Sequence, residues 1–452
     1  MQNWIKALPT IIAVLAIALG SPLVSIAQTP PRYDLLLKGG HVIDPANHID
    51  EVRDVAVFQG KIAAVEKNIP ADQAGKVVDV SKLYITPGLI DIHYHVGHGG
   101  APLNWFTPEA RAHALPLGIP ANLALQSGVT TIVDAGTAGA ETFLQEKEEV
   151  IDRAKVRVLA FLNIVANGMS GGLEQSLDEM DTKLCAATIK KYPDIIVGVK
   201  TAHYWTNEAW DAEHVPWAAV DRAIECGTLA NVPVMFDFWS RPERTYEDLL
   251  KKMRPGDIHT HVFAQQFPII LADGKINPAL AEARARGVIF DVGHGAGSFW
   301  FRNAVPAAKQ GFIPDSMSTD LHTGDYNVVS MNNVMSKFLA MGVPLDDIIR
   351  RSTVNPAAEI RRPELGTLSV GKDADIAVLE LTKGHFSYID CGVAKMDGNV
   401  KLEARMTIRA GRILYDPSGL SMVEWEKARP QYFASPDRGN SLPARADDYP
   451  RD

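Results

Sequence analysis

Apolar positions along this chain follow two periodicities, and the switch between them marks its organisation. In 33–45 (YDLLLKGGHVIDP) and 54–65 (DVAVFQGKIAAV), short β-rich runs alternate with glycine turns, the pattern of hairpins in a small antiparallel sheet. The same style returns near the far end. Lys38-Gly-Gly-His-Val-Ile is echoed by Arg409-Ala-Gly-Arg-Ile-Leu, after a strand-like DIAVL at 375–379. Two such segments are most simply the halves of one β-sandwich domain, 33–85 plus 365–416, with a larger domain inserted between them. Two unrelated small sheets are the alternative.

Between them, over 86–364, strand, loop and helix repeat. Apolar runs at 86–93, 129–135, 156–162, 195–200, 232–237, 257–261, 288–293 and 316–320 predict strands. Stretches at 141–154, 177–191, 217–229, 279–286 and 328–341 predict helices. Strands that are apolar on both faces belong in a parallel sheet covered on both sides. Eight of them alternating with helices fit a closed (β/α)8 TIM-type barrel, an α/β fold. An open doubly wound sheet normally carries a phosphate-binding glycine loop after its first strand. Here two histidines hold that place.

The ends read differently. Residues 1–27 combine Lys6, an apolar run over 11–19 and the small-residue close Ser25-Ile26-Ala27, which predicts a signal peptide and a periplasmic protein. The apolar run is short for a membrane span, so an uncleaved anchor is the weaker reading. Residues 417–452 predict one C-terminal helix and an irregular tail. A formal net charge of −9 argues against nucleic acid or anionic lipid as partner. A small-molecule substrate remains, and a homo-oligomer stays open. Cys185, Cys226 and Cys391 are too few, and odd in number, for a disulfide framework.

Candidate chemistry sits at the strand ends. His93 and His95 close the first strand in Pro87-Gly-Leu-Ile-Asp-Ile-His-Tyr-His. Side chains alternate along a strand, so both imidazoles project to one face, close enough to share an ion. An isolated H-x-H is more often a solvated or hydrogen-bonded pair, but the later strand ends change that. Lys200, Asp237, His259 with His261, His294 and Asp320 close or follow strands four to eight, where a barrel of this kind gathers its reactive groups.

Together with Gly128-Val-Thr-Thr-Ile-Val-Asp-Ala-Gly, Gly198-Val-Lys, Gly256-Asp-Ile-His-Thr-His-Val-Phe, Phe290-Asp-Val-Gly-His-Gly-Ala-Gly-Ser-Phe, Ser318-Thr-Asp-Leu-His and Leu365-Gly-Thr-Leu-Ser-Val-Gly-Lys-Asp-Ala-Asp, these motifs resemble the amidohydrolase superfamily of metal-dependent hydrolases. The resemblance spans roughly Tyr33 to Asp416 and is strongest to the dihydroorotase-like deacetylases. It implies one or two divalent ions, zinc or manganese. His93, His95 and Asp320 would hold one, and Lys200, N6-carboxylated by carbon dioxide, would bridge to a second held by His261. The family places another histidine on strand five, where this chain has Asp237. That aspartate either ligates through oxygen or pairs with an uncarboxylated Lys200 and leaves one metal.

His203 and His259 are substitute ligands or packing residues, and Asp134 is expected to be structural. The resemblance further implies attack by metal-activated water on an acyl carbon, with Asp320 carrying the proton. His294 and Gly295 would hold the substrate, with loop packing the alternative for His294. The activity implied is cleavage of an acyl amide or ester, such as an N-acyl amino acid. A cyclic-amide hydrolase and a metal-binding barrel without turnover compete with it.

Overall fold

A computed structural model describes residues 31–97, 119–169, 177–322, 327–328 and 330–428. The expected signal peptide and most of the expected C-terminal tail lie outside the described residues. Seven parallel strands form one sheet in sequence order: β6 (Leu89–Tyr94), β7 (Val129–Gly139), β8 (Arg157–Asn163), β9 (Ile196–Thr201), β10 (Val234–Phe236), β11 (Ile258–His259) and β12 (Ile289–Phe290). Every residue of β6, β7, β9 and β10 is buried, as expected of strands covered on both faces.

Segment 316–321 joins the two edges of this sheet. Val292 N–H donates to Ser316 O at 3.2 Å and Gly295 N–H to Thr319 O at 2.8 Å, while Asp320 N–H donates to His93 O and His95 N–H to Leu321 O at 3.1 Å. The predicted eighth strand is therefore present as a connector whose pairing reduces to single bridges, Asp291 with Ser316 and Tyr94 with Leu321. Its ladder stops because Asp320 turns to φ +49°, outside the β region. Helices return the chain between strands. Asp181 caps Thr182–Lys191, Asn277 with Pro278 opens Pro278–Ala285, and Ser330 caps Met331–Ala340, each side-chain oxygen taking N–H groups the helix leaves unpaired.

The remaining strands are β1 (Tyr33–Asp44), β2 (Ile49–Phe58), β3 (Lys61–Glu66), β4 (Ala74–Asp79), β5 (Tyr84–Pro87), β13 (Ile376–Ile389), β14 (Lys395–Arg409) and β15 (Arg412–Tyr415). Hydrogen bonding links them in the order β15-β14-β13-β5-β1-β2-β3, with β4 also on β1. The sandwich expected of these segments thus takes the form of one branched sheet, and its two halves meet where β5 pairs with β13 (Ile85 opposite Val378). Leu35, Leu37, Val55 and Val57 alternate onto a core shared with Ile376, Val378, Met406 and Ile408.

The run 86–93 is two strands, not one. β5 ends at Pro87 in the outer sheet, and β6 starts at Leu89 in the parallel one. Gly88 leaves room at the crossing, because a Cβ there would lie 2.1 Å from Thr130 Oγ1 and collide with the Thr130 side chain. Arg157 ties the two sheets together, donating from Nη1 to Asp375 at 2.5 Å and from Nη2 to Asp373 at 2.9 Å. Of the C-terminal segment, the described part is a short 3-10 turn at Trp425–Lys427. Among the described residues, no helix is long and apolar enough to cross a membrane.

Candidate metal centre

His93 on β6 and His95 just past its end, two residues apart, both reach the mouth of the ring. Nε2 of His93 and Nε2 of His95 each lie 3.2 Å from Asp320 Oδ1. Asp320 reaches them because its backbone φ of +49° swings the carboxylate across from the eighth segment. Such strain of about 1–3 kcal/mol persists where the surroundings impose it. The three ligand atoms lie within 4.8 Å of one another and all three residues are buried. Donors about 2.1 Å from a tetrahedral ion stand about 3.4 Å apart, so separations of 3.2 Å match donors around one dication.

Around this trio stand the other expected groups. Lys200, on β9 and only 1 % exposed, places Nζ 3.3 Å from His93 Nε2. His261 follows β11 with φ +61°, its Nε2 3.6 Å from Asp237 Oδ2 and 3.9 Å from Asp320 Oδ2. Asp237 follows β10 and also accepts from His203 Nδ1 at 2.9 Å. Among the described residues no carboxylate lies within ion-pair reach of Lys200, so Asp237 is the partner of the two histidines rather than of the lysine. A buried ammonium with an imidazole as its hydrogen-bond partner is costly.

Burial and neighbouring charge set the protonation of the cluster. Burial disfavours ionisation of Asp320, but His93, His95 and His261 outweigh it and hold its carboxyl well below the usual carboxylate range. Asp237 is likewise held well below that range, as His203 and His261 overcome its burial. Burial and the neighbouring Lys200 push His93 well below the usual imidazole value, which leaves a neutral ring able to ligate. His261 goes the other way. Asp237 and Asp320 overcome its burial and raise it to about 9, so the field at its Nε2 favours a positive charge. Protons and metal ions compete for such a site.

The other candidates separate clearly. His294 is 0 % exposed, with Nδ1 on Gly295 O at 2.9 Å, Nε2 on Lys337 Nζ at 2.6 Å and its ring stacked on Phe299. Both nitrogens and one face of the ring are thus engaged within the protein. Gly295 is at the centre, since a Cβ on it would stand 2.1 Å from Asp320 Oδ2. His259 packs against Tyr246, Phe267 and Phe290 as a core residue. Asp134 is structural, accepting from the N–H groups of Val96 and Thr137. Two hydroxyls, neither announced by a motif, hold these rings: Thr260 Oγ1 is 2.7 Å from His93 Nδ1, and Thr137 Oγ1 is 2.8 Å from His95 Nδ1. The one available hint was Thr260 lying between two histidines.

Comparison with known proteins agrees with this geometry. Residues 84–232 and 301–414 match the amidohydrolase family. A deacetylase of Brucella anthropi is 30 % identical over 355 residues, 76 % of this chain and 83 % of that one. Among solved structures, an adenine deaminase superposes with TM-score 0.72 at 27 % identity, covering 85 % of this chain and all of that one. A dihydroorotase does so with TM-score 0.71 at 26 % identity, covering 84 % and 99 %. The chain belongs to the amidohydrolase family, and it is a hydrolase of carbon–nitrogen bonds.

Proposed function

We propose that this protein is a metal-dependent hydrolase that removes an acyl group from a small amide or ester, such as an N-acyl amino acid. The observation that carries the proposal is the convergence of both imidazole Nε2 atoms on Asp320 Oδ1 at 3.2 Å. His93, His95 and Asp320 would hold one divalent ion, zinc or manganese. Lys200 in its carboxylated form, Asp237 and His261 would hold a second. An ion bound there polarises the acyl oxygen and draws the pKa of water towards neutrality. Asp320, kept ionised by its histidines, takes the proton of the attacking water and returns it to the leaving nitrogen or oxygen. A proton carrier of this kind contributes about 10² to 10⁴ in rate. Burial of the cluster excludes bulk water and strengthens each of these charge interactions.

Cleavage of an acyclic acyl group is supported by the deacetylase of Brucella anthropi, which aligns over 83 % of its own length. Cyclic-amide hydrolysis is the second reading, supported by the likeness to a dihydroorotase structure. The test is metal analysis of the purified protein, with one to two divalent ions per chain expected, followed by a screen of acetylated amino acids, acyl esters and cyclic imides. Turnover by protein stripped of metal ends the proposal. Hydrolysis of the cyclic imides alone selects the second reading.

A further inference from the structure

A single buried carboxylate connects the two halves of the cluster. Asp291, directly after β12, is 0 % exposed and accepts hydrogen bonds from Thr260 Oγ1 at 2.8 Å, Ser316 Oγ at 2.8 Å and Ser318 Oγ at 2.6 Å. A hydroxyl has one proton to donate. With that proton directed to Asp291, the Thr260 oxygen can only accept from its other neighbour, His93 Nδ1 at 2.7 Å. His93 must then carry its proton on Nδ1 and present Nε2 bare towards Asp320.

A parallel path reaches His261. Ser318, its proton likewise on Asp291, accepts the Gly293 N–H at 2.8 Å, and the Gly293 carbonyl accepts from His261 Nδ1 at 2.6 Å. Nε2 of His261 is thereby turned towards Asp237 and Asp320. His95 is held through Thr137 at 2.8 Å, with no hydrogen bond from Thr137 to Asp291 among the described residues, so His93 and His95 are oriented by different means.

We propose that Asp291 is a positioning residue for both halves of the metal centre, fixing the tautomer and ring orientation of His93 through Thr260 and of His261 through Ser318 and Gly293. The proposal rests on the metal-dependent reading above. Groups that orient a ligand in this way are worth about 10- to 100-fold in metal affinity.

Zinc-loaded wild type, Thr260→Val, Thr260→Ser, Ser318→Ala and Asp291→Asn are titrated with a competing chelator, and the zinc retained is measured. Thr260→Val keeps the side-chain volume and removes the hydroxyl, whereas Thr260→Ser keeps the hydroxyl and removes the methyl. Expected is zinc binding weaker by about 10- to 100-fold in Thr260→Val, Ser318→Ala and Asp291→Asn, with Thr260→Ser within a few-fold of wild type. If Asp291→Asn does not fold, the two hydroxyl variants decide. Wild-type zinc retention in Thr260→Val, or equal losses in Thr260→Val and Thr260→Ser, overturns the role of Asp291 while leaving the metal centre intact. A wild type that binds no divalent ion overturns the metal-dependent reading itself.

Discussion

Replacing Gly295 by alanine tests the geometry of the centre more directly than removing any ligand. The backbone at Gly295 has φ +46°, and the added methyl would lie 2.1 Å from Asp320 Oδ2. A non-glycine residue at that φ costs about 1–2 kcal/mol. Reaching ordinary contact at about 3.5 Å requires a retreat of more than 1 Å, and the carboxylate cannot yield freely because His93 and His95 grip its other oxygen. Misplacement of a reacting group by about 1 Å costs about 10²-fold in rate. Gly295→Ala is therefore expected to lower kcat/KM by about 10² and to weaken zinc retention. Gly297→Ala, in the same loop with nothing within 4 Å of its Cβ, should leave both unchanged. The assay is hydrolysis of the best acylated amino acid from the screen, run beside chelator competition. Wild-type kcat/KM and zinc retention in Gly295→Ala would refute the placement of Asp320.

Asp320→Asn should abolish turnover while circular dichroism stays native, and surviving activity would remove Asp320 as proton carrier. Bicarbonate should assist reactivation of metal-stripped protein if Lys200 is carboxylated, and indifference to it would leave the lysine uncarboxylated. Glu146 is 1 % exposed, and burial, reinforced by Asp134, pushes its carboxyl well above its ordinary 4.5. The folded state then holds a proton that the unfolded state gives up, so stability falls as pH rises above the unfolded value, by up to about 1.4 kcal/mol per pH unit. Glu146→Gln removes that loss. Its Tm advantage over wild type should widen from pH 5 to pH 8, and a constant gap would contradict the assignment.

Much of this architecture was legible in the chain. The all-apolar strands and the helical stretches between them are local patterns, and the H-x-H spacing of His93 and His95 carries its own geometry. What escaped depends on partners distant in sequence. Lys337, on the helix Met331–Ala340, satisfies His294, and nothing near position 294 announces it. Thr260, Ser318 and Asp291 are common core residues until their hydroxyls and carboxylate are seen to meet. The split at Gly88 was hidden because β5 and the first residues of β6 read as one continuous run, although they serve different sheets.

That split has a consequence for how the molecule is made. β5 gains its parallel partner β1 early, but its antiparallel partner β13 (Ile376–Ile389) leaves the ribosome only after the whole ring of parallel strands has been synthesised. Throughout that interval β5 offers an open edge of unpaired backbone groups, the kind of surface on which chains aggregate. Contacts closed over so long a loop also form slowly. Translation halted before β13 should therefore yield an insoluble product, however complete its set of metal ligands.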